Sequence, residues 1–115
     1  DLYQIVFNLI ENGIKYNLPG GSLTVSLRRD EDNAVLTVTD TGMGIPQDAI
    51  DHVFERFYRV DKARSRATGG SGLGLAIVKS IVQRNRGDIT VSSEVGKGTV
   101  FTVAFPAFDM EVAQE

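Results

Sequence analysis

The chain has 115 residues, 42% of them apolar and none of them cysteine, and a net charge of -3. This size suits one domain with one core, and the missing thiols exclude disulfides, thiolate chemistry and cysteine-based zinc sites. No apolar run reaches transmembrane length, the opening "DLYQIVFN" lacks a signal-peptide pattern, and the acidic balance argues against general nucleic-acid binding.

Residues 1–17 read as a helix. Leu2, Ile5, Val6, Leu9 and Gly13 share one face at the 3.6-residue period, and Asn8, Glu11, Asn12 and Lys15 fall on another. Pro19-Gly20-Gly21 stops it. Residues 23–27 alternate as a half-buried strand, "RRDEDN" reads as a polar turn, and residues 34–39 form a second strand, so residues 22–39 make a hairpin. "DTGMGIP" interrupts the pattern. A short helix is predicted over 47–53, followed by "FERFYRVD" and a basic loop.

A second long helix is predicted from Gly72 to about Asn85, with Leu73, Ala76, Ile77 and Ile81 along one side and Leu75, Val78 and Val82 broadening it. Gly87 is its expected C-terminal stop. Residues 89–93 and 99–105 are strands around "EVGKG", with Phe101, Val103 and Phe105 on one face. Residues 109–115 are expected to fray. Two hairpins and two amphipathic helices predict an α+β fold: a two-layer α/β sandwich with a mixed, mostly antiparallel sheet and its helices on one face.

Several groups of residues carry chemistry. Asn8 and Asn12 lie one turn apart at the border of the apolar stripe. Short amides are poor helix formers there. Their oxygens suit a hard cation such as Mg²⁺, and Lys15, on the same face, suits a phosphate. Two solvated surface amides would leave the same signature. Strand parity places Asp40 with Leu36 and Val38, toward the core, where a carboxylate needs hydrogen-bond donors such as a purine amine. Gly42 and Gly44 would let backbone approach a flat ring, although an ordinary turn would read alike.

"GGSGLGLAIVK", residues 69–79, lacks the Gly-Lys-Ser/Thr ending of a Walker A loop and does not follow a strand. Gly72 and Gly74 sit in a first helical turn, where unpaired N–H groups and the helix dipole attract anions. Gly69 and Gly70 would hinge the loop before them. Residues 55–70 hold five basic and two acidic side chains, a local +3, which leaves -6 for the rest of the chain. Phe54 and Phe57 would anchor that loop, with Arg56 and Arg59 held near the site and Lys62, Arg64 and Arg66 riding on it. His52, the only histidine, is expected to have a surface or packing role.

The ordered boxes "NLIENGIKYN", "DTGMGIP", "FERFYR", "GGSGLGLAIVK" and "GKGTVFTVAFP" resemble, over nearly the whole chain, the catalytic ATP-binding domain of bacterial sensor histidine kinases, relatives of the gyrase and heat-shock chaperone ATPases. The resemblance implies a domain over 1–108 that binds ATP and Mg²⁺. Asn8 and Asn12 match the asparagine box, with Asn12 as Mg²⁺ ligand, Lys15 on phosphate and Tyr16 beside the nucleotide. Asp40, Gly42 and Gly44, followed by Ile45, match the first glycine box, with Asp40 reading the adenine amine. Phe54 and Phe57 match the phenylalanine box, with Arg56 reaching the terminal phosphate and Arg59 beside it. Gly70, Ser71, Gly72, Leu73, Gly74 and Leu75 match the second glycine box, and residues 58–71 would be the ATP lid. Gly13 stands where such kinases more often carry Ala.

The implied reaction passes the γ-phosphate to a histidine on a separate dimerisation domain, with a response-regulator receiver domain as the next partner and no nucleic acid involved. The family's strand before the asparagine helix is expected to be missing, since the sequence opens almost directly on that helix. The expectation is a cytoplasmic fragment of a longer, homodimeric kinase anchored in the bacterial inner membrane. The related ATPases place Glu where Asn8 stands, to activate water; Glu11 is close enough to assist. A hydrolase, a non-catalytic nucleotide-binding module and a serine kinase of the anti-sigma type are the rival readings.

Overall fold

Helix α1 spans Leu2–Lys15 in a computed structural model that describes residues 2–56, 58 and 74–106. Ile5, Leu9 and Gly13, each one turn apart, are its buried stripe. The helix ends before residue 17 because the last turn tightens. Asn17 N–H donates to the Ile14 carbonyl at 3.3 Å, and the Asn17 side-chain amide donates to the Ser22 carbonyl at 2.9 Å. A residue that bonds across the loop leaves the helical ladder.

Strands β1 (Leu23–Asp30) and β2 (Asn33–Asp40) form the first hairpin. They reach farther into "RRDEDN" than composition suggested. Arg28 pairs with Val35 and Asp30 with Asn33, so the turn is Glu31-Asp32, with Glu31 in the left-handed region at φ 54°. Charged side chains suit an exposed edge strand. The predicted half-buried alternation of β1 is only partly realised. Leu23 is half-buried, but Val25 and Leu27 are 43% and 55% exposed. Their side of the strand faces the helix layer, but the packed core does not extend over it.

Helix α2 is one turn, Gln47–Ile50, shorter than the predicted 47–53. The chain continues in i→i+3 turns, with His52 N–H on the Ala49 carbonyl and Glu55 N–H on the His52 carbonyl, both at 2.9 Å. Helix α3 spans Gly74–Arg84 and buries Val78, Ile81 and Val82, while Ile77 lies at the stripe's exposed edge. Its end is a Schellman motif. Gly87 N–H donates to the Val82 carbonyl at 2.9 Å and Arg86 N–H to the Gln83 carbonyl at 3.1 Å. The left-handed residue is Arg86 (φ 62°), not Gly87. Gly87 is required for a different reason: a Cβ there would lie 2.7 Å from the Ala104 carbonyl oxygen.

Strands β3 (Asp88–Glu94) and β4 (Gly98–Pro106) close the fold. The sheet order is β1-β2-β4-β3, and all three ladders are antiparallel among the described strands. Helices α1 and α3 cover one face, where Ile5, Leu9, Leu36, Val38, Val78, Val82, Phe101 and Val103 make the core. Phe101, Val103 and Phe105 are buried on the face the alternation assigned to them. Because β4 lies between β2 and β3, the end of β2 at Asp40 meets the β3–β4 turn. This meeting point positions the site. The expected fraying of residues 109–115 falls outside the described residues, as does residues 58–71 except Tyr58.

Candidate functional site

A cleft opens between the end of α1, the end of β2 and the start of α3. Asp40 forms its base. The residue is 7% exposed, and Gly42 N–H donates to its Oδ1 at 2.9 Å. Burial pushes the Asp40 carboxyl above its ordinary range, and the backbone N–H groups of Gly42 and Thr99 oppose that rise. Strand parity placed Asp40 inward, and it is inward.

The loop after Asp40 is held on both sides. Met43 N–H donates to the Tyr16 carbonyl at 3.2 Å, and Gly96 N–H donates to the Met43 carbonyl at 2.9 Å. Ile45 N–H donates to Ser93 Oγ at 2.7 Å. Gly42 fits because a Cβ would collide with the Tyr16 carbonyl oxygen, and Gly44, at φ 77°, because one would strike the Glu94 carbonyl oxygen. Tyr16, Met43, Gly44 and Ile45 thus form a fixed wall of the cleft.

The other side is built from the polar face of α1 and the start of α3. Asn12 lines the cleft, as does Leu75 from α3. Asn8 sits one turn before Asn12, its Oδ1 3.9 Å from the point where a Cβ of Gly74 would stand. Gly74 otherwise faces open space among the described residues. Lys15 Nζ lies 3.3 Å from Glu11 Oε1, with side chains 26% and 46% exposed. The helix thus carries two amides and one ion pair, and of these four residues only Asn12 lines the cleft among the described residues. Amide oxygens of this kind suit Mg²⁺, which binds few protein oxygens and completes its shell with phosphate and water.

Phe54 packs edge to face on Phe101, with centroids 6.1 Å apart, and Lys79 Nζ lies 5.3 Å from the Phe54 ring. Phe54 thus packs against the core, while nearly all of the basic loop it was expected to anchor lies outside the described residues. Arg56 follows it on an exposed turn and does not line the cleft among the described residues. Phe57, Arg59, Gly70, Ser71, Gly72 and Leu73 lie outside the described residues. His52 has the surface packing role expected of it: Nδ1 bonds Glu55 Oε2 at 2.7 Å, and its ring stacks on Tyr58 at 5.4 Å. Glu55 pushes the His52 pKa upward, first by hydrogen bonding and then by charge.

Sequence reasoning missed four lining residues: Met43, Val53, Tyr58 and Thr99. Met43 lay inside a recognised box, between its two glycines. Thr99 carried no local signal; it reaches the site because β4 pairs Thr99 with Asp40.

Over residues 1–109 the chain matches the family described as histidine kinase-, DNA gyrase B- and HSP90-like ATPase. The sensor histidine kinase RppB of Synechocystis is 50% identical over 111 residues, which are 96% of this chain and 24% of RppB. The mycobacterial sensor histidine kinase MprB superposes with a TM-score of 0.79 at 38% identity, over 90% of this chain and 70% of that one. Full-length ShkA in complex with AMPPNP gives a TM-score of 0.77 at 32% identity, over 91% of this chain and 21% of that one. The chain therefore spans about a quarter of the length of the curated relative RppB.

Proposed function

Because the chain belongs to the histidine kinase-, DNA gyrase B- and HSP90-like ATPase family, we propose that it binds Mg·ATP and presents the γ-phosphoryl group to a histidine on a separate dimerisation domain. The observation that carries this reading is Asp40, a buried carboxylate at the base of a cleft with a fixed glycine wall. Beyond the Gly42 and Thr99 N–H groups this carboxylate has lone pairs left to accept from a ligand donor, and the exocyclic amine of adenine is one. Tyr16 and Ile45 would bound the base, Gly42 and Gly44 let the loop pack against Tyr16 and Glu94 behind it, and Leu75 closes the cleft from α3.

Asn12, with Asn8 beside it, would hold Mg²⁺, and that ion would offset charge on the phosphates. Lys15 would exchange its Glu11 partner for a phosphate oxygen. Arg56, Arg59 and the glycines from Gly70 through Gly74, with Ser71 and Leu73 among them, would act at the terminal phosphate end, as the resemblance implies. A neutral imidazole has a free lone pair, so positioning and charge neutralisation are the domain's contribution. Asn8 stands where the related ATPases place Glu and cannot usefully accept a proton at neutral pH, which favours transfer over hydrolysis.

In the full-length protein this domain would belong to a homodimer that passes phosphate to a response-regulator receiver domain, with an anchor in the bacterial inner membrane. Among the described residues no helix is long and apolar enough to cross a membrane. The test is titration calorimetry with Mg·ATP, followed by incubation with the protein's own histidine-bearing domain. Binding at micromolar to millimolar ATP and an acid-labile phosphohistidine are expected. No ATP affinity at millimolar concentration overturns the reading.

A further inference from the structure

One hydroxyl beside the cleft has every hydrogen-bonding position in use. Ser93 Oγ lies 2.7 Å from Ile45 N, 2.8 Å from the Gly98 carbonyl oxygen and 2.8 Å from Thr99 Oγ1. A hydroxyl has one proton and two lone pairs. Ile45 N–H can only donate and the Gly98 carbonyl can only accept. All three contacts are satisfied together in one arrangement: Ser93 gives its proton to Gly98 and accepts from both Ile45 and Thr99. The Thr99 proton is then directed away from the cleft.

Thr99 is 6% exposed and lines the cleft base. It stands directly opposite Asp40 across the β2–β4 ladder, where facing side chains have Cβ atoms about 5 Å apart. The base of the cleft therefore presents two neighbouring acceptors, the Asp40 carboxylate and the Thr99 lone pairs.

We propose that Ser93, which does not line the cleft, is a specificity-determining positioning residue: by taking the Thr99 proton it makes the cleft base an acceptor-only surface, selective for a ligand group with N–H donors and against a carbonyl at the same place. The inference rests on the nucleotide reading above and deepens it. An amino purine has two N–H bonds to give at its exocyclic position; a 6-oxo purine places a carbonyl there, against acceptors. Without Ser93, the Thr99 hydroxyl is free to turn and donate to that carbonyl.

The test is calorimetric titration of the full chain with Mg·ATP and Mg·ITP. Ser93→Ala is expected to lower the ATP-to-ITP affinity ratio about tenfold, chiefly by improving ITP, and Ser93→Thr, which keeps the hydroxyl, to restore it. A merely structural serine would lower both affinities by the same factor, and an unchanged ratio in Ser93→Ala overturns the proposal. Should Ser93→Ala not fold, Thr99→Val removes the same acceptor at nearly constant shape and must also lower the ratio; an unchanged ratio there is equally decisive against it. If the wild-type chain binds neither nucleotide, the nucleotide reading fails and this inference falls with it. Wild-type ATP binding with unaltered ratios in the variants removes this inference alone.

Discussion

The two ends of the cleft are built by different physics. At the Asp40 end, backbone groups are locked before any ligand arrives: Met43 is bonded to Tyr16 on one side and Gly96 on the other, and Ile45 to Ser93. Glycines sit there in contacts too close for a side chain. At the α1 rim, the charged groups are partly exposed and paired with each other, and Gly74 faces open space among the described residues. Substitutions at the first end should therefore change stability and binding together. Substitutions at the second should change binding and leave stability almost untouched.

Gly98→Ala should have the largest effect. Gly98 has φ 128°, and a Cβ there would run into the Asp40 carbonyl. We expect a loss of about 3 kcal/mol or more in a urea unfolding curve, from strain and the displaced turn together. A midpoint equal to wild type would show that the β3–β4 turn is not locked to β2 and would erase the contrast.

Asp40→Asn sharpens the comparison by separating its two consequences. Adenine nucleotide affinity should fall roughly 10- to 100-fold, since a bond to a charged acceptor is lost, and guanine nucleotide affinity should fall less. The ligand-free domain should become more stable at neutral pH, by about 1 kcal/mol. Burial raises the Asp40 pKa. Its favourable contribution is thus complete below the unfolded value and disappears as pH rises through the folded value. The advantage of Asn should accordingly be present at neutral pH and vanish in acid. Denaturation at both pH values checks this, and an Asn variant less stable at neutral pH contradicts it.

Lys15→Ala tests the exposed end. ATP binding should weaken about tenfold, with a smaller loss at high salt because the rim is screened. The unfolding free energy should move by less than about 0.5 kcal/mol, as for other solvent-exposed ion pairs. A large stability loss would mean the rim is as rigid as the base.

Gly13→Ala should have the smallest effect. Its new methyl would meet Leu23 Cδ1 at 2.7 Å, the movable end of a side chain, and Asp40 Oδ2 at an ordinary 3.7 Å. Replacing helix-interior glycine should stabilise by about 0.5 kcal/mol after Leu23 shifts. Thermal denaturation would show the gain, and calorimetry should show unaltered ATP affinity.

Local sequence carried much of this protein. The four-residue spacing of Ile5, Leu9 and Gly13 set the buried face of α1, and the two-residue alternation through Leu36 and Val38 pointed Asp40 inward. These are short-range properties, set by backbone geometry within a turn or a few pleats. Turn chemistry was less legible: the Glu31-Asp32 turn and the left-handed Arg86 stand where composition suggested a longer loop and a glycine. The neighbours of Asp40 were decided only by tertiary pairing. Insertion of β4 between β2 and β3 brings Thr99 opposite Asp40 and Ser93 to the glycine loop. Their separations in sequence are far longer than any helical or strand period. No local pattern encodes such a meeting, because strand order follows from the lowest free energy of the whole sheet and core together.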